Sequence, residues 1–300
     1  MNEDNFERLS GAWRASRGYV FALLIFCASR AVVLLALVFA RDSIPRNPAG
    51  TFWDATPSWY RYLLRFDSGW YLRIIKQGYS YDGNDLVEHP VVFFPLYPLV
   101  SKALMLVPGI GPELSVILVS NAAVLLAVPL LFRLVRDDYG DETAFYAIAL
   151  LSFFPTSFFF SAGYTESLAL LLVTGFLLCL RKGWLLGAAA CCGLAMATRA
   201  ACVVLLPPLL WELWRAYKDE PKRLVMIGAA CVVLATSGLW LYMLFLWREF
   251  NSPLAFVKGQ RAWLAGGGVS SNFFQVLTLQ PMRHLLDLFR EGPTTIALDP

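Results

Sequence analysis

Charged side chains are scarce in this sequence. Asp, Glu, Lys and Arg make up 16% of the 300 residues, hydrophobic residues make up 58%, and the mean hydropathy is +0.56. A soluble domain of this length needs more charge to cover its surface, so the composition excludes an ordinary soluble protein and indicates a polytopic membrane protein. The formal net charge of +3 is too small to indicate nucleic acid as a partner.

Residues that bind metals are also few. There are two histidines and six cysteines, and no two cysteines are spaced as CxxC. All six cysteines fall inside apolar segments, where we expect small buried side chains, so we predict neither a disulfide nor a zinc site. The P-loop, GxSxG, HExxH and Rossmann glycine patterns are absent, which leaves soluble nucleotide donors and serine hydrolysis without support.

Four apolar runs are long enough to span a bilayer, which takes about 20 residues per helix. They are residues 18–40, 115–132, 144–164 and 224–247; the first contains one charged residue, Arg30, and the others contain none. Three shorter runs, 168–180, 184–198 and 200–211, are typical of half-spanning or tilted helices that rely on neighbours. The sequence therefore predicts an all-α, polytopic transmembrane helical bundle.

The basic residues of the short connections predict its orientation. Lysines and arginines precede the run at 18–40, follow the runs at 115–132 and 168–180, and precede the run at 224–247. Placing them in the cytoplasm predicts a cytoplasmic N-terminus. We expect one integral-membrane domain, 1–300, with a long extracytoplasmic loop at 41–111, a helical bundle at 112–247 and a second extracytoplasmic segment at 248–300. That last segment holds no further span, and a truncated C-terminus is one interpretation of it.

The long external loop contains two unusual segments. From Tyr60 to Gln77, aromatic residues and leucines alternate with arginines, as in an amphipathic helix that lies in the headgroup layer. Residues 91–107 are apolar but contain Pro95 and Pro98, which predicts an interfacial or re-entrant segment. The alternative is a span of seventeen residues.

Asp67 is the candidate catalytic base. A carboxylate at the membrane surface could take a proton from an acceptor hydroxyl, and Trp70, Tyr71 and Arg73 would form an aromatic, cation-bearing wall of the kind that handles sugars and phosphates. The alternative is that Asp67 caps the helix that follows, a common use of aspartate. Arg65 and Arg73 would favour the ionised form that a base requires.

Arg199 is the second candidate, because it lies between two short apolar runs with no acidic residue near it in the sequence. An arginine at the centre of a membrane costs roughly 2.5–3.5 kcal/mol and usually faces a cavity or a partner. A lipid phosphate would suit its bidentate guanidinium. The alternative is an outer turn from which Arg199 reaches the headgroups. Arg30 is expected to pair structurally with a neighbouring helix.

Two more polar residues fall on the predicted outer side. His89 either hydrogen-bonds a sugar or a phosphate or pairs with Glu88. Glu166 either contributes to a site or caps the helix that follows it. No cofactor is otherwise expected, although Asp67 and Glu166 could hold a divalent cation if they converge.

Five segments together resemble a known family. FDSGWYLRIIKQGYSY, FFPLYPLV, FFPTSFFFSAGYTESLALLL, ATR and SPLAFVKGQRAW occur in the order and rough spacing of the PIG-V (GPI mannosyltransferase 2) family and its prokaryotic relatives, over about residues 20–265. The resemblance implies a fold of the GT-C class, whose integral-membrane glycosyltransferases take a sugar from a polyprenyl-phosphate carrier. Those enzymes use an acidic residue of the first outer loop as base, which by position is Asp67. The family usually has tryptophan where this chain has Phe66.

The resemblance also implies a mechanism and a location. Asp67 would deprotonate an acceptor hydroxyl in a single inverting displacement, while Arg199, with His89 a lesser candidate, holds the lipid phosphate. The remaining residues expected to line the sugar or acceptor pocket are Tyr97, Tyr164, Glu166, Gln260 and Trp263. The expected partners are a polyprenyl-phosphate sugar, a glycan or glycolipid acceptor and the bilayer, in the cell membrane of a prokaryote or the endoplasmic reticulum of a eukaryote. A transporter of a lipid-linked sugar and an inactive partner subunit stay open as alternatives.

Overall fold

A computed structural model describes residues 3–43, 63–64 and 66–265, with side chains over 17–39, 63–64 and 66–263. Within these ranges the chain forms helices and no strands, which confirms the predicted all-α membrane fold. Tyr60 and Arg65 of the predicted site region lie outside the described residues, as does the end of the chain after Ala265.

The described part of the chain contains ten α-helices. They are α1 (Glu3–Ser43), α2 (Asp67–Gln77), α3 (Leu96–Leu104), α4 (Pro112–Phe153), α5 (Glu166–Arg181), α6 (Leu185–Met196), α7 (Leu206–Tyr217), α8 (Pro221–Phe250), α9 (Ala255–Lys258) and α10 (Gln260–Ala265). Short 3-10 helices connect several of them, at Pro90–Val92, Pro155–Phe160 and Ala200–Leu205.

Three of these helices are long and apolar enough to cross a membrane. They are α1 over Arg17–Phe39, α4 and α8, and they contain the predicted runs 18–40, 115–132 and 224–247. The three shorter predicted runs correspond to α5, to α6, and to the 3-10 helix at Ala200–Leu205 with α7. These predictions rest on length and hydropathy, which are local properties of the sequence.

The predicted span at 144–164 is wrong as a single helix. The chain turns at Gly140, where φ is 84° and ψ is 171°, and the second arm of α4 ends at Phe153. Phe154 is extended (φ −60°, ψ 140°), the usual conformation before a proline, and Pro155 then begins a 3-10 helix. The apolar run therefore extends beyond Phe153, where the α-helix ends.

The segment at 91–107 does not form a helix long enough to span a bilayer. Its α-helical part, α3, has nine residues and is therefore about 14 Å long, which is less than half of a hydrocarbon layer about 30 Å thick. The interfacial or re-entrant interpretation of this segment is the one that fits α3.

Helix α2 is the predicted amphipathic helix, although its described part begins at Asp67. One face buries Tyr71, Leu72, Ile74 and Ile75 against α3 and α4, whereas Arg73 lies on the exposed face. The alternation of aromatics and arginines in the sequence therefore corresponds to a buried and an exposed side of one helix.

Arg30 joins α1 to the segment where α4 ends and the following 3-10 helix begins. Its guanidinium donates to the carbonyl oxygens of Ser157 at 2.6 Å and Ser152 at 2.9 Å, and to the hydroxyls of Ser157 and Ser161. The predicted structural pairing is thus present, with backbone carbonyls as the main partners. An intramembrane arginine here satisfies carbonyl groups that Pro155 and the helix end leave free.

Two ends of the bundle can be told apart along α4. Val116 packs near Gly163, whose amide donates to the Leu63 carbonyl oxygen at 2.9 Å. Arg136 stacks on Tyr19 of α1 at the other end. Val116 and Arg136 are 20 residues apart on one helical arm, which corresponds to about 30 Å. Helix α2 therefore lies far from the basic residues assigned above to the cytoplasm.

Candidate functional site

Three charged residues from three segments meet at the α2 end of the bundle. Asp67 is the first residue of α2, Glu166 is the first residue of α5, and Arg199 follows α6. A guanidinium nitrogen of Arg199 donates to Oε1 of Glu166 at 2.8 Å. The sequence shows no acid near Arg199, and the fold supplies one from 33 residues away.

Arg199 lies in a turn between helices. Helix α6 ends at Met196, and Arg199 is extended at φ −153° and ψ 135° before the next 3-10 helix begins. The turn that the second interpretation predicts is present, and a turn is compatible with either role of the guanidinium. Desolvation by burial acts to lower the pKa of Arg199, but the Glu166 carboxylate outweighs it, so the net pKa is raised and the guanidinium stays charged.

Asp67 is half-buried, and none of the residues that the structure describes donates a hydrogen bond to its carboxylate. The carboxylate does not cap α2: the cap position is Phe66, which has a left-handed φ of 54°. A bulky residue in that conformation is strained, and such strain is common next to functional groups. The cap interpretation of Asp67 is therefore wrong.

Burial and the nearby Glu166 carboxylate raise the pKa of Asp67, and Arg199 opposes them without cancelling them. We expected Arg65 and Arg73 to favour the ionised form. Arg65 lies outside the described residues, and the Arg73 guanidinium lies over the ring of Trp70 at 5.4 Å. The net balance is the reverse of the expectation, because burial and a second carboxylate act together.

Two tyrosines border Asp67. The hydroxyl of Tyr164 lies beside the Asp67 backbone amide, and burial raises the pKa of Tyr164 to about 12, so it is a neutral hydrogen-bonding group at pH 7. Tyr71 is buried with its hydroxyl beside that of Thr165. Thr165 was not among the predicted site residues; its place between Tyr164 and Glu166 in the sequence was the available signal.

Tyr97 lies behind this group and does not line an open pocket, contrary to the prediction. Its side chain is fully buried, and its hydroxyl donates to the Val116 carbonyl oxygen at 2.7 Å and contacts Ser120. Its ring packs edge-on against Tyr71, with centroids 4.9 Å apart. Tyr97 therefore fixes the position of Tyr71 relative to α4.

An aromatic cluster lies one turn along α2 from Asp67. Trp70 stacks on Phe93, with centroids 5.8 Å apart, and Trp263 of α10 packs edge-on against both rings. The indole nitrogen of Trp263 is buried and has no hydrogen-bond partner among the described residues. The structure thus brings Trp70, Arg73 and Trp263 together, while Gln260 begins α10 and is exposed.

His89 belongs to a separate loop. Its Nε2 lies 3.0 Å from the carbonyl oxygen of Asn84 and 3.0 Å from a carboxylate oxygen of Asp82, and its ring is edge-on to Tyr81. The predicted alternative of a pair with Glu88 is wrong, because the acidic partner is Asp82. His89 holds the loop before α3 and is not part of the Asp67 group.

No group of three or more metal-binding side chains occurs among the described residues. Glu166 lies near enough to Asp67 to contribute to the raised pKa of that carboxyl, but it is already paired with the cationic Arg199. A divalent cation at Asp67 and Glu166 would therefore compete with that guanidinium for the Glu166 carboxylate.

Comparison with known proteins identifies the family. The family model described as Mannosyltransferase (PIG-V) matches residues 20–230, a range that includes Asp67, Glu166 and Arg199 but not Trp263. No curated protein and no solved structure matches the chain. Because the match covers more than half of the sequence, and because the helices and the polar site fit a membrane enzyme, the chain belongs to the PIG-V mannosyltransferase family of membrane glycosyltransferases.

Proposed function

We propose that this protein takes a sugar, mannose by family, from a polyprenyl-phosphate carrier and transfers it with inversion to a glycan or glycolipid at the external face of a membrane. The observation that carries the proposal is the meeting of Asp67, Glu166 and Arg199 from three separate segments at one end of the bundle. A half-buried carboxylate whose pKa is raised by burial and by a specific charged neighbour is typical of a functional site.

Asp67 is the base in this proposal. Its carboxylate takes the proton of the acceptor hydroxyl while the hydroxyl oxygen bonds to the anomeric carbon. The bond from that carbon to the phosphate oxygen breaks, and the lipid phosphate leaves with the electron pair. A raised pKa makes the Asp67 carboxylate a stronger base, provided that enough of it is ionised at the working pH.

Arg199 is the group that holds the phosphate. A guanidinium binds two phosphate oxygens at once, and 44% of the Arg199 side chain is exposed, so a ligand can reach it. Oε1 of Glu166 fixes one nitrogen and leaves the other donors for the phosphate. Positive charge at this point stabilises the negative charge that develops on the leaving group.

The distribution of basic residues supports an external site. Arg133 and Arg136 lie shortly before the turn of α4 at Gly140, and Arg181 lies at the end of α5, remote from α2. An excess of lysine and arginine marks cytoplasmic connections. Arg181 pairs with Asp138 at 2.6 Å, which holds that end together. If the end of the bundle that carries these arginines is cytoplasmic, Asp67 lies at the external side of the membrane. In our proposal the sugar of the donor lies at that same side.

The test is transfer of radiolabelled mannose from polyprenyl-phosphate mannose by membranes that contain equal amounts of each variant. Asp67→Asn should lower transfer at least about 100-fold, since general-base catalysis typically contributes 10²–10⁴-fold. Asp219→Asn is the matched control, an exposed aspartate between α7 and α8 at the other end of the bundle.

Equal transfer by wild type and Asp67→Asn would refute the role of Asp67. Transport of the labelled lipid across the bilayer without any product would replace the transferase with the transporter alternative. Loss of product after chelation of divalent cations, with recovery on adding one back, would assign a cation to the Asp67 and Glu166 pair.

A further inference from the structure

An apolar cavity of about 710 Å³ lies between α3, α6 and α8. This volume is typical of a site for a small organic ligand. None of Asp67, Glu166 and Arg199 lines the cavity. Its walls are formed mainly by apolar side chains of the three helices, among them Pro98, Leu99, Ala190, Leu194, Leu241 and Phe245.

Two glycines in the wall of the cavity lie where α6 crosses α8. A Cβ added to Gly193 would lie 2.3 Å from the Leu234 carbonyl oxygen, and one added to Gly238 would lie 2.0 Å from that of Gly193. Both glycines line the cavity and project nothing into it. Close backbone contact thus holds the two helices together while the space beside the crossing stays empty.

The open side of the cavity belongs to the apolar surface of the bundle. Three apolar side chains at this side, one from each helix, are exposed: Leu99 by 58%, Leu194 by 46% and Leu241 by 65%. Helix α8 is long and apolar enough to cross a membrane. A hydrocarbon chain in the bilayer could therefore enter sideways between α3 and α8 without passing through water.

The inner end of the cavity borders the candidate site. Ala197 lines the cavity, its carbonyl oxygen accepts from the Leu96 amide at 2.9 Å, and Arg199 follows within at most about 7 Å of chain. Ile74 of α2 also lines it, about 10 Å along the helix axis from Asp67. The distance is short enough for one molecule to occupy both places.

The charged residues around the cavity indicate which kind of molecule would occupy both places. Lys102 is the one charged side chain among the described residues of the lining, and Arg199 lies beyond Ala197. An apolar cavity with cationic groups at its border suits a hydrocarbon chain that ends in a phosphate. An acceptor glycan offers no comparable chain at the phosphate position.

We propose that the cavity holds the isoprenoid units nearest to the phosphate of the lipid donor, with the phosphate directed to Arg199. This inference rests on the proposed function and adds to it the place where the lipid binds. It predicts that the enzyme selects donors by chain length, because the apolar contact grows with each unit that enters.

The test uses two donors with the same sugar phosphate, one with a polyprenyl chain and one with a single isoprene unit, which reaches only the inner end of the cavity, next to Arg199. Ala190→Phe fills the cavity from α6. It should raise the KM for the polyprenyl donor at least tenfold and leave the KM for the short donor within about twofold. Val233→Phe on α8 is the control, because Val233 is 70% exposed and does not line the cavity.

A polyprenyl phosphate with a photoreactive group in its first units supplies a readout that does not need turnover. It should label α3 and α8 of the wild type, and labelling should fall in Ala190→Phe. If Ala190→Phe does not fold, Leu241→Trp replaces it, since Leu241 lies on the open side of the cavity.

Each outcome separates the two proposals. Product from both donors with unchanged KM in Ala190→Phe would overturn the lipid site and leave the transferase intact. A raised KM for a lipid acceptor in place of the donor would also overturn it. If no variant makes product, the proposed function fails, and labelling of the cavity alone then decides whether the lipid binds there.

Discussion

Replacing Gly238 by alanine should separate α6 from α8. The new Cβ would lie 2.0 Å from the carbonyl oxygen of Gly193 and 2.8 Å from Ala197, where ordinary contacts begin at 3.4 Å. Relief of the first contact requires a local movement of roughly 1.4 Å, because a backbone carbonyl cannot rotate away inside a helix. Overpacking of a tight interface costs about 1–3 kcal/mol, and this site should reach the upper end of that range.

The matched control lies on the same helix. Gly228 has nothing within 4 Å of its added Cβ, so Gly228→Ala meets no steric barrier and gains helix propensity worth up to about 1 kcal/mol. The same substitution ten residues apart should therefore change stability in opposite directions. No general effect of alanine on α8 would produce that result.

The assay is the free energy of unfolding of each purified variant, from denaturant titration in micelles. Gly238→Ala should lose about 3 kcal/mol, which is more than a hundredfold in the folding equilibrium, and Gly228→Ala should equal or exceed wild type. If Gly238→Ala is as stable as wild type, the two helices do not touch at these glycines, and the geometry of the apolar cavity is refuted with it.

Four further predictions concern Asp67, the Arg199–Glu166 pair and Arg30. Because burial and Glu166 raise the pKa of Asp67, transfer should fall as the pH is lowered through that raised pKa. The raised pKa in the folded state means that Asp67 stabilises the fold fully at pH values below its unfolded-state pKa and loses that contribution as the pH rises through the folded-state pKa. Asp67→Asn should therefore not lower the thermal midpoint of unfolding at neutral pH. A lower midpoint would contradict this. Alanine substitutions of Arg199 and Glu166 in a double-mutant cycle of unfolding should give a coupling of about 0.2–1 kcal/mol, since the pair is partly exposed; zero coupling would contradict the ion pair. Arg30→Leu should destabilise by at least about 2 kcal/mol, because the Ser157 and Ser152 carbonyls lose a charged donor, and Arg30→Lys should lose less; equal stability of all three proteins would refute the bridge.

The raised pKa of Asp67 describes the protein without its substrates. A phosphate bound at Arg199 would add negative charge near Asp67 and raise that pKa further, whereas an acceptor hydroxyl that donates to the carboxylate would lower it. Donor and acceptor therefore act in opposite directions on the same proton. A base of this kind is ionised most readily when the acceptor is present, which is when the reaction needs it.

The sequence by itself determined the membrane class, most of the helices and the candidate base. Long apolar runs such as 18–40 and 224–247 became helices because length and hydropathy act locally, and Asp67 stood out because a lone carboxylate beside aromatic residues is visible in the sequence. The same local reasoning went wrong at 144–164, where apolar character continues past Pro155 but the α-helix ends at Phe153.

Only the tertiary structure decided which charges meet. Arg199 has no acid near it in the sequence, and its partner Glu166 comes from another helix. Burial and the same Glu166 raise the pKa of Asp67. The sequence around Asp67 contains arginines and gives no sign of either effect. The apolar cavity likewise depends on the contact of Gly193 with Gly238 across 45 residues. Ion pairs, burial and cavities are properties of distances in space, and the order of residues along the chain leaves those distances undetermined until the helices pack.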